Sequence, residues 1–297
     1  MKGNFWKKSK KPILALAPMA GITDSAFREI CRRRGADIVY SEMASVSALF
    51  FKPTKTQELL KFNRRERPYI VQLFGKDPKH FAKATKIVTE IVKPDGIDIN
   101  FGCPAKKVFG HGSGCALMPQ KELAREIIQA VLENTDLPIS LKIRAGIKNT
   151  TALEFIENIK DLNWKAIMVH GRTYEGSFSG PVDFALIEKI KALVPDRIVL
   201  ANGGIMTPQE GSKILKSYPS IDGLGIARGA WGQPWIFEDI KKLLKNHPLL
   251  PEEKDPEGTE GWEKKSFEDI SRIAIQHAKL IEKSKGSKGL LEIRKHL

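Results

Sequence analysis

The stretch GIDINFGCPAKKVFGHGSGCALMPQKELAREIIQAVLENTDLPISLKIR, residues 96–144, holds one full repeat of the pattern that decides the fold. Gly96–Phe101 is short and rich in apolar residues, as a strand covered on both faces should be. Pro119 opens an amphipathic stretch reaching about Glu133, because proline in the first turn is preorganised for a helix. Ile139–Arg144 then returns to the strand pattern. Outward from this unit the same alternation recurs, with strand-like runs at Ile13–Met19, Asp37–Met43, Tyr69–Phe74, Ala166–His170, Ile198–Asn202 and Gly223–Ile226. Most of these runs are followed by a helical pattern. Asp77-Pro78 opens one to about Val92, and Thr207-Pro208, with Thr207 as N-cap, opens another to about Lys216. Eight alternations predict a closed parallel (β/α)8 TIM barrel rather than an open sheet. The length of 297 residues suits such a barrel plus a small appendage.

The barrel pattern occupies residues 1–245. Residues 246–265 hold three prolines, two glycines and many charges without apolar periodicity, and are expected to be a linker. Helical spacing returns from Ser266, with Phe267, Ile270, Ile273, Ala274, Ala278 and Ile281 expected on one face. A glycine-containing break at Lys285–Gly289 precedes a second run, Leu290–Leu297. Two short helices bury little area alone, so residues 266–297 are expected to be a partial helical domain that docks on the barrel or is incomplete.

Composition narrows the class. Hydrophobic residues at 41% and charged residues at 28% are ordinary for a soluble globular protein. Cys31, Cys103 and Cys115 are an odd number without metal-ligand spacing, which predicts a reducing compartment, no disulfide framework and no metal. No apolar run reaches membrane-span length, and Ile13–Ala17 after the lysine-rich N-terminus is too short for a signal peptide. A cytoplasmic protein, monomeric by default, is expected. Forty-nine Lys+Arg against 35 Asp+Glu give a net charge of +14, which favours polyanions such as nucleic acid and also serves plain solubility.

Barrel chemistry sits at the C-terminal ends of the strands. Ala17-Pro18-Met19-Ala20-Gly21 is a rigid turn after the first strand. After the fourth come Asn100-Phe101-Gly102-Cys103-Pro104, where Gly and Pro leave the Cys103 thiol room and fix its direction. A thiol of ordinary pKa, about 8.5, stays protonated at neutral pH and can act as an acid. Lys142 and Arg144 alternate with Ile143, so both project to one face. His170 falls at the same barrel level. Asn202-Gly203-Gly204 and Ala227-Arg228-Gly229 follow the seventh and eighth strands, where small residues expose N–H groups for a phosphate.

The runs APMAGITDSAFR, VQLFG, NFGCPAKKV, LKIRAG, VHGRT, ANGGI and IARGAWGQPWIF, spanning about Leu16 to Phe237, resemble the bacterial-type, FMN-dependent tRNA-dihydrouridine synthase family. That resemblance implies FMN at the barrel mouth, NADPH as the usual electron donor, and reduction of a uridine in tRNA to 5,6-dihydrouridine. It implies that Pro18, Met19 and Gln72 border the flavin ring, with Ala20 in the same cofactor-binding turn. Lys142 would lie by the ring's N1/O2 side and His170 would also contact FMN. Asn202, Gly203, Gly204, Ala227 and Arg228 would hold its phosphate. Cys103 would be the general acid that protonates C5 after hydride reaches C6. Asn100 and Arg172 are expected to bind the uracil carbonyls. The family often has Asp where this chain has Gly204 and Gly where it has Ala227. It also carries a C-terminal helical domain that helps clamp tRNA, so the short tail implies either truncation or greater reliance on the barrel surface. A flavin barrel acting on free pyrimidines and a non-catalytic RNA-binding barrel remain the rival readings.

Overall fold

The computed structural model describes residues 4–246 and 265–296. All eight expected strands are present: β1 (Ile13–Leu16), β2 (Ile38–Ser45), β3 (Tyr69–Phe74), β4 (Gly96–Phe101), β5 (Ile139–Arg144), β6 (Ala166–His170), β7 (Ile198–Asn202) and β8 (Gly223–Ile226). They pair in chain order, all parallel, and β8 closes on β1. β1 stops at Leu16 rather than Met19, because Pro18 has no N–H for a ladder. β2 runs on to Ser45 across a register shift between Tyr40 and Met43.

One barrel helix follows each strand: α1 (Ser25–Arg33), α2 (Val46–Phe51), α3 (Pro78–Ile87), α4 (Lys121–Leu132), α5 (Ala152–Ile159), α6 (Phe184–Leu193), α7 (Pro208–Ser217) and α8 (Ile236–Asn246). Caps set their starts. Asp77 accepts from the N–H of Lys79 and His80, and Thr207 and Glu210 form a reciprocal capping box. α3 continues as a π turn, Val88–Val92, as far as the sequence pattern ran. α4 begins at Lys121, two residues beyond Pro119.

Alternation sorts the strand residues into two layers. Leu14, Val39, Val71, Ile97, Leu141, Val169, Val199 and Leu224 face the helices and form the main core. Ile13, Ile38, Ile70, Ala166 and Ile198, at the strands' N-terminal ends, point inward and are joined by buried Trp6. The short helix Phe5–Lys8, capped by Asn4, thus plugs the lower end of the barrel. From sequence this N-terminal stretch carried only a targeting question; its plug role needs the closed barrel to be visible.

The turn after β1 is held from below. Arg28 on α1 forms an ion pair with Glu66 at 2.6 Å, both side chains 0% exposed, and donates to the carbonyls of Thr23 at 2.7 Å and Lys61 at 2.9 Å. Thr23 in turn bonds Met19 in both directions. Replacing Glu66 with glutamine would strand a buried guanidinium, and a loss of about 3–5 kcal/mol is expected. Denaturant unfolding measures this, and a loss below ~1 kcal/mol would show that the pair does not anchor the turn.

The expected helix is present as α9 (Phe267–Lys285), with Ser266 as its N-cap, but only part of the expected face is packed. Phe267 is 84% exposed and Ile270 is also exposed, while Ile273, His277 and Ile281 are buried. The stripe follows i, i+4, i+8 because α9 docks on α1, where His277 stacks on Phe27 and Lys285 pairs with Asp24 at 2.7 Å. The second run is a 3-10 segment, Ser287–Lys295, after Gly286 at φ +68°. Apart from its two end residues, the expected linker lies outside the described residues.

Candidate active site

A cavity of about 570 Å³ opens at the C-terminal ends of the strands, a size that suits a small-molecule ligand. Every site residue expected from the sequence lines it except Arg172. Register explains the convergence. Asn100 pairs with Lys142 and His170 with Asn202, so neighbouring strands deliver inward side chains to one level.

Cys103 sits just past β4, partly buried. The Asn100 carboxamide holds it, with Oδ1 accepting from the N–H of Gly102 at 3.0 Å and of Cys103 at 2.8 Å. Asn100 Nδ2 donates to Gln72 Oε1 at 3.0 Å and approaches Met43 Sδ. That amide is therefore committed within the protein. Burial pushes the Cys103 thiol up, partly offset by the Ala105 N–H, Lys142 and Arg144, so it is protonated at neutral pH.

Lys142 donates to Asn202 Oδ1 at 3.0 Å, while Asn202 Nδ2 donates to the Gly225 carbonyl at 2.6 Å. Burial and then Arg144 push the Lys142 ammonium down to about 8. His170 is pushed down to about 2 by burial, then by Lys142, Arg144 and Arg172. Its imidazole is neutral, and Nδ1 accepts from the Arg172 N–H at 3.4 Å, which leaves the proton on Nε2.

The loops after β7 and β8 form a cradle. Gly203 and Gly204 have φ of +107° and +69°, and a Cβ at Gly203 would press on His170 Nε2 at 3.3 Å and touch Arg172 Nη1 at 3.5 Å. Arg172 thus stands behind the Gly203 turn instead of lining the cavity. Its Nε bonds the Gly180 carbonyl, and its buried Nη1 has no partner among the described residues. Arg228, at the other side, is exposed and lies over the Phe178 ring.

Arg144, read beside Lys142 at the mouth but given no ligand, and Phe178, not singled out, also line the cavity. Arg144 is 2% exposed and bonds the carbonyls of Gly102, Thr173 and Ser177. Its alternation with Lys142 was the legible signal. Phe178, with Arg144 and Arg228 over its ring at 5.3 and 5.4 Å, stands 51% exposed at the rim. Its loop position gave no periodicity to read. Among the described residues no group of three or more His, Cys, Asp or Glu is placed to hold a metal, and no helix is long and apolar enough to cross a membrane.

Residues 15–297 match the family model described as Dihydrouridine synthase (Dus). The chain is 35% identical over 255 residues to tRNA-dihydrouridine synthase B of Vibrio vulnificus (strain CMCP6), covering 84% of this chain and 76% of that protein. It is 34% identical over 287 residues to tRNA-dihydrouridine synthase B of Pseudomonas putida (strain KT2440), covering 96% and 81%. Among solved structures, that of TcOYE with pHBA superposes with a TM-score of 0.54 at 10% identity, covering 80% of this chain and 89% of that one. At that identity the likeness speaks to the barrel alone.

Proposed function

This chain belongs to the dihydrouridine synthase family, and from that premise we propose that it reduces the C5=C6 bond of a uridine in tRNA to 5,6-dihydrouridine, with FMN as cofactor and NADPH as electron donor. The observation that carries the reading is one cavity shared by a protonated thiol, Lys142 and a glycine-built anion cradle.

The residues fit FMN on local grounds. Two consecutive glycines at positive φ and Arg228 at the rim suit a phosphate. Lys142 suits the N1/O2 edge of a flavin, Pro18, Met19, Ala20 and Gln72 its ring, and the neutral Nε2–H of His170 an acceptor on the cofactor. When bound and reduced, FMN supplies the hydride equivalent for C6.

The chain's own residues supply the rest. Cys103 holds a proton on Sγ and gives it to C5 of the uracil; the thiolate left behind is favoured by the Ala105 N–H and by Lys142 and Arg144, and regains its proton from solvent. Asn100 acts by holding the Cys103 backbone rather than by bonding the base, a reading supported by its committed amide. Arg172 backs the Gly203 turn from behind rather than bonding the uracil. Residues 4–245 are then the catalytic barrel and 266–296 a helical tRNA-contacting tail. The net charge of +14 and the exposed Lys279 and Lys283 on α9 support that last assignment. The target base must leave its stack to enter the mouth.

An absorbance spectrum of the purified protein, followed anaerobically by NADPH and then unmodified tRNA, tests the reading. A flavin spectrum that bleaches and then recovers with tRNA, with dihydrouridine formed, is expected. Recovery with free pyrimidines alone would move the substrate to the free base, and no flavin after FMN is supplied would overturn the site.

A further inference from the structure

Asp98 on β4 is fully buried inside the barrel, one layer below the cavity, and no step above uses it. It pairs in register with Gln72 on one side and Ser140 on the other. Both neighbours donate to it: Gln72 Nε2 to Oδ2 at 2.7 Å and Ser140 Oγ to Oδ1 at 2.6 Å. An ionised carboxylate only accepts. Gln72 must therefore turn Nε2 down to Asp98 and Oε1 up, where it receives Asn100 Nδ2. Asn100 is then left with Oδ1 for the N–H groups of Gly102 and Cys103. Reversing either amide would set acceptor against acceptor at Asp98, or donors against donors at Cys103, inside a buried chain where each mismatch is costly.

We propose that Asp98 is a positioning residue whose acceptor-only carboxylate sets the direction of the Gln72 and Asn100 amides, and through them the placement of Cys103. The inference rests on the reading of Cys103 as the proton donor, but its geometry stands apart from any cofactor. Burial lifts the Asp98 carboxyl to about 6, so it is ionised at neutral pH; Lys142 from β5 favours that form, and Tyr40 from β2 is the other titratable group facing it.

Asn100→Asp places a carboxylate against Gln72 Oε1, and Asp98 prevents the glutamine from turning to relieve it. In the double variant D98N/N100D the whole chain can reverse. The amide introduced at position 98 donates to Gln72 Oε1, and Gln72 Nε2 donates to the carboxylate introduced at position 100. That carboxylate still accepts from the N–H groups of Gly102 and Cys103. The readout is alkylation of Cys103 by iodoacetamide, followed to the limiting rate above the thiol's pKa so that charge effects on ionisation drop out. Cys31 and Cys115 are buried, and C103A gives the blank. N100D is expected to change the limiting rate at least fivefold more in the wild-type background than in the D98N background. Equal factors within twofold in the two backgrounds would overturn the proposal. Should D98N alone be too unstable to purify, the double variant compared with N100D decides: a limiting rate no nearer to wild type overturns the relay. If the coupling is found but wild-type protein reduces no uridine, the relay stands and the proposed reaction falls.

Discussion

Replacing Cys103 with alanine is expected to lower dihydrouridine formation by about 10²–10⁴-fold, the usual worth of a placed general acid. The reductive half-reaction, bleaching of bound flavin by NADPH, should stay within about twofold of wild type, because the thiol is a proton donor to the base and takes no part in loading electrons. Tight tRNA binding should survive as well. Rapid-mixing measurement of the two halves separates these outcomes. Product formation within tenfold of wild type would remove Cys103 from the reaction. pH gives a second handle. Burial raises the thiol's pKa, and the reaction needs its protonated form, so turnover should be lost only as pH rises through that raised value. An activity that instead falls as pH drops toward neutrality would point to a required base.

Lys142→Met is expected to weaken FMN binding about 30-fold, or ~2 kcal/mol, the scale of one hydrogen bond to a charged group. The lysine is pushed down to about 8 by burial and then by Arg144. In the free protein its ammonium is present below that value and lost above it. FMN affinity of wild type, read by quenching of flavin fluorescence, should therefore fall as pH rises through about 8. The variant should show a weaker and flat profile over the same range. A wild-type affinity independent of pH between 7 and 9 would place the flavin away from Lys142. Because Lys142 also holds Asn202, whose other end bonds Gly225 between β7 and β8, some of the loss will come through the phosphate loops. Measuring inorganic phosphate as a competitor of FMN separates the two contributions.

The barrel was legible because its signal is local and repeated. Tyr69–Phe74, Gly96–Phe101 and Ile139–Arg144 are short runs with an apolar residue at every second position, and they fold to the expected limits. Most of the cavity lining was legible for a related reason: in this fold a strand's end is the site's address, so position along the chain translates into position in space. The failures are of a different kind. The stripe on α9 holds at Ile273 and Ile281 but fails at Phe267 and Ile270, because α1 presents Phe27 and Asp24 to His277 and Lys285 rather than an apolar wall to Phe267. Phe178 lies in a loop, where no period exists to read.

By itself the sequence determined the eightfold alternation, the family motifs at successive strand ends, and the residue types gathered at the mouth: a thiol, a lysine, an imidazole and two glycine turns. Tertiary structure alone decided which hydrogen bonds those residues make. Asn100 turns its oxygen to Cys103 because Gln72 faces it, and Gln72 is turned by Asp98, which the strand pattern shows only as an acid two residues before Asn100. Trp6 became a plug, and Arg172 withdrew behind Gly203. Periodicity fixes the face on which a side chain stands, because backbone geometry is local. What the side chain bonds there depends on register between strands and on the donors and acceptors that close packing brings within about 3 Å, and neither is written in any one segment.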